Sequence, residues 1–119
     1  MKILITGICG FTGSTIAREL LEYMDAVDLV GIDNFSREGS RTNLDSLVAL
    51  GVDFHEGDIR SSRDLNRLPR VDWVIDCAAE PSVLSGVSNE VSSFDVMDNN
   101  LIGTIRLLEY CKKCLAGSI

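Results

Sequence analysis

Three glycines at positions 7, 10 and 13, directly behind the apolar run Ile3, Leu4 and Ile5, constrain this chain more than any other feature. A short apolar run bounded by glycine reads as a strand. Helical spacing begins at once behind it, with Ile16, Leu20, Leu21 and Met24 on one face. A strand that turns on glycines into a helix brings free backbone N–H groups and the positive end of the helix dipole to one point, with no Cβ to hold an anion off. A dinucleotide pyrophosphate suits that point. The spacing alone is common to many turns, and its place between strand and helix is what points to the ligand.

The remaining organisation is compatible with that start. With 119 residues the chain is long enough for one domain with a modest core. Beyond the first strand, Lys2–Ile5, and its helix, about Gly13–Met24, the pattern gives strands at Asp28–Ile32, Val52–His55 and Val71–Ile75. A helix is expected near Thr42–Leu50, with Leu44, Leu47 and Val48 on one face and Gly51 as its stop. A short one is expected around Ser62–Leu68, capped by Ser61 or Ser62. After a loop from Cys77 to about Glu90, a long helix over about Phe94–Cys114 carries the stripe Met97, Leu101, Ile105 and Leu108. Strands alternating with helices predict an α/β chain, a Rossmann-type doubly wound parallel sheet of about four βα units in the order 3-2-1-4. A ligand then sits at the carboxyl ends of the strands. The fourth strand is expected to have a bare edge, which favours self-association.

Charge and cysteines exclude several classes. Net charge is −7 and the eleven basic residues are scattered, so neither a nucleic acid nor an anionic membrane is an expected partner. No leader and no apolar run of spanning length is visible, so a soluble, cytoplasmic chain is expected. Cys9, Cys77, Cys111 and Cys114 make no secreted disulfide framework. Cys111 and Cys114 form a Cys-x-x-Cys pair, but at the end of a helical pattern, where the dipole works against a reactive thiolate. A zinc site would need further ligands, and the single histidine, His55, lies in a strand elsewhere. The pair reads as structural and no metal is expected.

The chemistry falls at the ends of strands. Asp33, twenty residues after Gly13, can accept both hydroxyls of an adenosine ribose and repels an added 2′-phosphate, which favours NAD over NADP. In isolation Asp33 and Asn34 would equally suit a turn, and Arg37 and Arg41 lie close enough to soften the preference. Asp58 could accept from an adenine amino group, with the Ile59 backbone pairing to a ring nitrogen; alone, Gly57 to Arg60 is equally a turn with a helix-start acid. Ala78 and Ala79 close the fourth strand on small side chains that let a flat cofactor approach the backbone. Asn100 is unfavourable in mid-helix by propensity, which suggests that it holds a loop or the cofactor, while Gly103 permits close helix packing.

Together, Thr6 to Ser14, Asp33-Asn34, Asp58 to Arg60, Ala78-Ala79 and Asn100 to Thr104 resemble the extended short-chain dehydrogenase/reductase family. The resemblance is to its nucleotide-sugar epimerases and dehydratases. Asp33 to Arg37, Gly57 to Arg60 and Ala78 to Gly86 are most similar to the branch acting at C2 of CDP-paratose. That likeness implies NAD as a recycled redox cofactor and a nucleotide-diphosphate sugar as the partner of the full-length relative, epimerised through a transient keto form. It implies that Gly7, Gly10, Phe11, Thr12 and Gly13 hold the pyrophosphate, and that Asp33, Asn34, Ser36 and Arg37 hold the adenine ribose. Asp58 and Ile59 would contact adenine, Ala78, Ala79 and Glu80 would wall the nicotinamide ribose, and Asn100 matches the helix asparagine. Asp76 departs from the histidine that many relatives carry two residues before the paired alanines. The family's acid/base is a tyrosine with a lysine four residues on; here the tyrosines are Tyr23 and Tyr110, and Cys114 stands four after the latter. No catalytic residue is therefore assigned. Residues 1–119 are expected to be an NAD(P)-binding Rossmann domain ending before that catalytic segment, inactive alone. The alternatives are a self-standing NAD-binding regulatory module and part of a nucleotide-sugar 4-epimerase or 4,6-dehydratase.

Overall fold

A computed structural model describes residues 1–79 and 92–115. Its strands are β1 (Lys2–Thr6), β2 (Asp28–Asp33), β3 (Asp53–Glu56) and β4 (Trp73–Asp76), all parallel, in the order β3-β2-β1-β4. The expected topology is the observed one; β1 and β2 start where expected, at Lys2 and Asp28, and the other strand boundaries move by a residue or two. Registers run Lys2 to Thr6 against Asp28 to Ile32, Ile3 to Thr6 against Trp73 to Asp76, and Val30 to Asp33 against Asp53 to Glu56.

The central strands are apolar on both faces because helices cover both. Leu4, Val30 and Ile32 pack with Leu65, Leu107 and Tyr110 on one side. Ile3, Ile5 and Leu29 pack with Ala17 and Leu47 on the other. Those helices are α1 (Phe11–Tyr23), α2 (Leu44–Ala49), α3 (Ser62–Asn66), α4 (Ser93–Met97) and α5 (Gly103–Leu115). A 3₁₀ turn, Ser40–Asn43, leads into α2, and a π-helical turn, Asp98–Ile102, joins α4 to α5.

Several expectations need correction. The first helix starts at Phe11, not Gly13, because Gly10 is extended (φ −71°, ψ 173°) and serves as its N-cap. The helix expected near Thr42–Leu50 is a 3₁₀ turn followed by one short α-helix, stopped by Gly51 at φ +96°. Leu47 is its buried anchor, whereas Val48 is half exposed. Ser61 is the cap of α3, accepting from the Asp64 N–H at 3.2 Å, and that helix ends at Asn66.

The largest correction concerns the last helical region. The stripe Met97, Leu101, Ile105 and Leu108 faces outward, each residue 46–57% exposed. The inward face is Gly103, Leu107 and Tyr110. Tyr110 donates its hydroxyl to the Pro69 carbonyl at 2.8 Å. Gly103 seats the helix on the residue after Asp58: a Cβ there would come within 2.8 Å of Ile59 Cδ1. Among the described residues, no strand pairs with the outer edge of β4, and no helix is long and apolar enough to cross a membrane.

Candidate functional site

Parallel strands place every carboxyl end on one edge of the sheet, and the loops leaving Thr6, Asp33, Glu56 and Asp76 meet there. Gly7 makes the first turn with φ +61°, a conformation that L side chains rarely adopt, and its N–H donates to the Ile32 carbonyl at 2.8 Å. A Cβ on Gly7 would lie 2.6 Å from the Cys77 carbonyl oxygen, so β1 and β4 approach through it. The Gly10 N–H donates to the Gly7 carbonyl at 3.0 Å, and the Ser14 N–H to the Gly10 carbonyl at 3.0 Å. Gly13 lies beneath, where a Cβ would overlap the Gly7 carbonyl. The Phe11, Thr12 and Gly13 N–H groups form the first turn of α1, without intrahelical acceptors and without an acidic side chain to neutralise the dipole.

A cavity of about 390 Å³ opens along this edge. Ten of the fifteen residues singled out from sequence line it: Gly7 and Gly10 at its floor, Asp33, Asn34, Ser36 and Arg37 after β2, Asp58 and Ile59 after β3, and Ala78 and Ala79 after β4. Phe11, Thr12 and Gly13 are not part of its lining and form the helix start next to Gly10. Asn100 lies on the π-helical turn outside the lining, and Glu80 lies outside the described residues.

Asp33 fills the turn role that its position allows. Its Oδ2 accepts from the Cys9 N–H at 2.9 Å and its Oδ1 from the Phe35 N–H at 2.8 Å. A carboxylate has about four acceptor positions, so about two remain for a ligand's hydroxyls. Arg41 is turned elsewhere, stacked 4.0 Å over the Phe35 ring and 3.4 Å from Glu56, while Arg37 lines the cavity.

Asp58 is more heavily engaged. Its carboxylate accepts from the Arg60 backbone N–H at 2.8 Å, from the Arg60 guanidinium at 2.8 Å and from the Asn34 amide at 3.0 Å. Burial pushes its pKa up, but the bonds from Arg60 and Asn34 and the Arg60 charge outweigh burial and hold it at about 2. Arg60 also reaches Asp98 at 3.3 Å, which ties the loop after β3 to the helical region across the cavity. An adenine amino group would share an acceptor already occupied.

Sequence reasoning missed Asn99, Asp95, Val96 and Arg60, all in the lining. Asn99 donates to the Ala78 carbonyl at 2.9 Å and to Asn100 Oδ1 at 3.1 Å, so it holds the loop after β4. The signal was the Asn99-Asn100 pair, but a π-helical turn changes which of two neighbours faces inward. Asp76 fastens β4 to β1 by accepting from Thr6 Oγ1, and it also accepts from the Ala78 N–H in the turn after β4. Tyr23 is exposed at the far end of α1, and Tyr110 is buried in the core, where burial and then Cys114 raise its pKa. Neither lines the cavity. Cys111 and Cys114 are free thiols packed against the core, and no group of three metal-ligating side chains occurs among the described residues.

Comparison with known proteins agrees with this geometry. The model of the NAD dependent epimerase/dehydratase family matches residues 3–118. The chain is 38% identical over 113 residues to CDP-paratose 2-epimerase of Salmonella typhi, covering 92% of this chain and 32% of that protein. It superposes on the UDP-Glc/GlcNAc 4-epimerase of Campylobacter jejuni with a TM-score of 0.81 at 27% identity, covering 95% of this chain and 34% of the other. A UDP-glucuronic acid 4-epimerase variant of Bacillus cereus, solved with NAD and UDP-4-deoxy-4-fluoro-glucuronic acid, gives 0.79 at 33% identity, with 94% and 36% covered. The chain spans about a third of the length of these relatives.

Proposed function

The chain belongs to the NAD dependent epimerase/dehydratase family, and on that premise we propose that residues 1–119 are the NAD-binding Rossmann portion of a nucleotide-sugar epimerase acting at C2 of CDP-paratose. The observation that carries the reading is the shared edge: the glycine turn and α1 N-terminus adjoin the same 390 Å³ cavity that Asp33, Asp58 and Ala78 line. These residues fit the cofactor. The glycine turn has no space for a Cβ at Gly7 or Gly13, and the Phe11 and Thr12 N–H groups of the first helical turn are the donors that would hold a pyrophosphate. Asp33 keeps acceptors for ribose hydroxyls, Ser36 and Arg37 border it, and Ala78 and Ala79 present backbone to a flat ring.

When bound, NAD supplies a ring that takes a hydride from a sugar carbon and can return it. This chain's part is to orient that ring and to hold the Asp33 carboxylate, through the Cys9 and Phe35 N–H groups, beside the ribose. Asn99 orders the Ala78 backbone, and Asn100 and Glu80 complete the proposed set. Among the described residues that line the cavity there is no histidine, tyrosine or lysine to take a sugar hydroxyl proton. The chain by itself therefore binds cofactor without turnover, and a Tyr-x-x-x-Lys segment and the sugar site belong to a longer protein. Its setting would be the cytoplasm, and self-association is favoured by the outward apolar stripe and the edge of β4. A second reading, nucleotide-sugar 4-epimerase, is favoured by the two 4-epimerase structures.

Titration calorimetry with NAD tests the reading. One saturable site, weakened by Asp33→Ala, is expected, and absence of binding at millimolar NAD would remove it.

A further inference from the structure

Asn43 lies outside the lining of the cavity, and we propose that it is a positioning residue for the dinucleotide, acting through Cys9 to set the glycine turn and Asp33. The inference rests on the reading of the cavity as an NAD site. Asn43 stands where α2 begins, a position from which asparagine ordinarily accepts from the helix's own N–H groups. Here it makes no such cap. Its Nδ2 donates instead to the Cys9 carbonyl at 2.8 Å. Its Oδ1 accepts from Arg18 Nη2 at 3.1 Å, and that guanidinium also donates to Ser46 Oγ at 3.1 Å.

Arg18 settles which way the amide points. A guanidinium only donates, so the amide oxygen must face it and the nitrogen must face Cys9. On its other side, the Cys9 N–H donates to Asp33 Oδ2 at 2.9 Å. Both backbone polar groups of one fully buried residue are thus held by side chains from two different elements. Cys9 immediately precedes Gly10, the N-cap of α1, whose carbonyl receives the Ser14 N–H. A displacement at Cys9 would carry the Phe11 and Thr12 N–H groups with it and would release one of the two donors that orient Asp33. The other, from Phe35, would stay.

A fastener between α1 and α2 alone would affect stability and leave ligand selectivity unchanged. A positioning role affects pyrophosphate ligands most. NAD, ADP and adenosine are titrated into the wild-type chain, Asn43→Asp and Asn43→Ala, with melting temperatures and amide exchange at Cys9 recorded in parallel. Asn43→Asp keeps size and the acceptor for Arg18 but sets an oxygen against the Cys9 carbonyl. NAD and ADP are expected to bind roughly five-fold more weakly or worse, adenosine less than about two-fold more weakly because Phe35 still holds Asp33, with faster exchange of the Cys9 amide. Arg18→Gln, which loosens the amide from behind, gives a smaller loss in the same direction and serves if either Asn43 variant misfolds. Unchanged NAD affinity in the variants, or equal losses for ADP and adenosine, overturns the inference alone. No NAD binding by the wild-type chain overturns the functional reading and this inference with it.

Discussion

Replacing Gly13 with alanine sets two effects of opposite sign against each other. Gly13 lies inside α1, and in a helix interior alanine is better than glycine by about 1 kcal/mol. Propensity alone would stabilise the variant. The added Cβ, however, would overlap the Gly7 carbonyl and lie 2.8 Å from Ile8 Cα and 2.9 Å from the Gly7 carbonyl carbon. All three neighbours are backbone, and that backbone cannot easily yield: the Gly7 N–H is tied to Ile32 at 2.8 Å and the Gly10 N–H to Gly7 at 3.0 Å. Overpacking costs about 1–3 kcal/mol, and a clash with fixed backbone belongs at the top of that range. The net expectation is a loss of about 2 kcal/mol. At roughly 3–6 °C per kcal/mol for a chain of this size, the melting temperature should fall by roughly 6–12 °C. Thermal unfolding followed by circular dichroism, with urea titration as a check, reads this directly. A variant as stable as the wild type, or more so, would refute the claim that close approach, and not turn flexibility, requires glycine there.

Other expectations follow from the same geometry. Asp33→Ala should weaken NAD binding by more than about 1 kcal/mol, since it removes a charged acceptor and frees the Cys9 and Phe35 N–H groups; calorimetry showing unchanged affinity would exclude Asp33 from the site. Asp58 has its pKa lowered from 3.8 to about 2, so its contribution is fully present above the unfolded value and is lost as pH falls from about 4 to about 2. That contribution is of the order of 2 kcal/mol. Urea midpoints across this window should fall less steeply in Asp58→Asn, and parallel profiles would contradict the assignment. Burial, and then Asp33, raises the Cys9 thiol to about 11, so alkylation at pH 8 with mass-spectrometric mapping should leave Cys9 unmodified in the native chain. Rapid labelling there would mean that the glycine turn opens. Leu101→Lys with Leu108→Lys should disperse any self-associated form in sedimentation, because both side chains are about half exposed on the outward stripe.

How much of this was legible in sequence depends on how local the controlling physics is. The glycine turn, the four strands and their order follow from short-range signals, namely apolar runs, glycines and the alternation of strand with helix. Ten residues, chosen by position at strand ends or, for Ser36 and Arg37, by the family resemblance, do meet in one cavity, because a parallel sheet brings those ends together whatever the side chains are. The last helical region was not legible in the same way. It has apolar residues on two faces, and periodicity cannot say that Leu107 and Tyr110, and not Leu101 and Leu108, face the sheet. The π-helical turn at Asp98–Ile102 then shifts the angular phase, so that Asn99 and not Asn100 reaches the Ala78 carbonyl. Val48 failed for a different reason: α2 is one short helix, and Val48 sits about 100° around it from the buried Leu47, at the edge of the face, so it stays half exposed. The ties on Asp58 and Cys9 were invisible because Arg60, Asn34 and Asn43 act as particular rotamers, which spacing does not encode.

The most direct test of the central claim, a dinucleotide site on the carboxyl edge of the sheet, is amide chemical-shift mapping of the chain as NAD is added. The account predicts saturable shifts at Phe11, Thr12, Asn34, Ile59 and Ala78, with the opposite end of the sheet, around Asp28 and Asp72, unmoved. An absence of shifts at saturating NAD, or shifts centred on that opposite end, would contradict it.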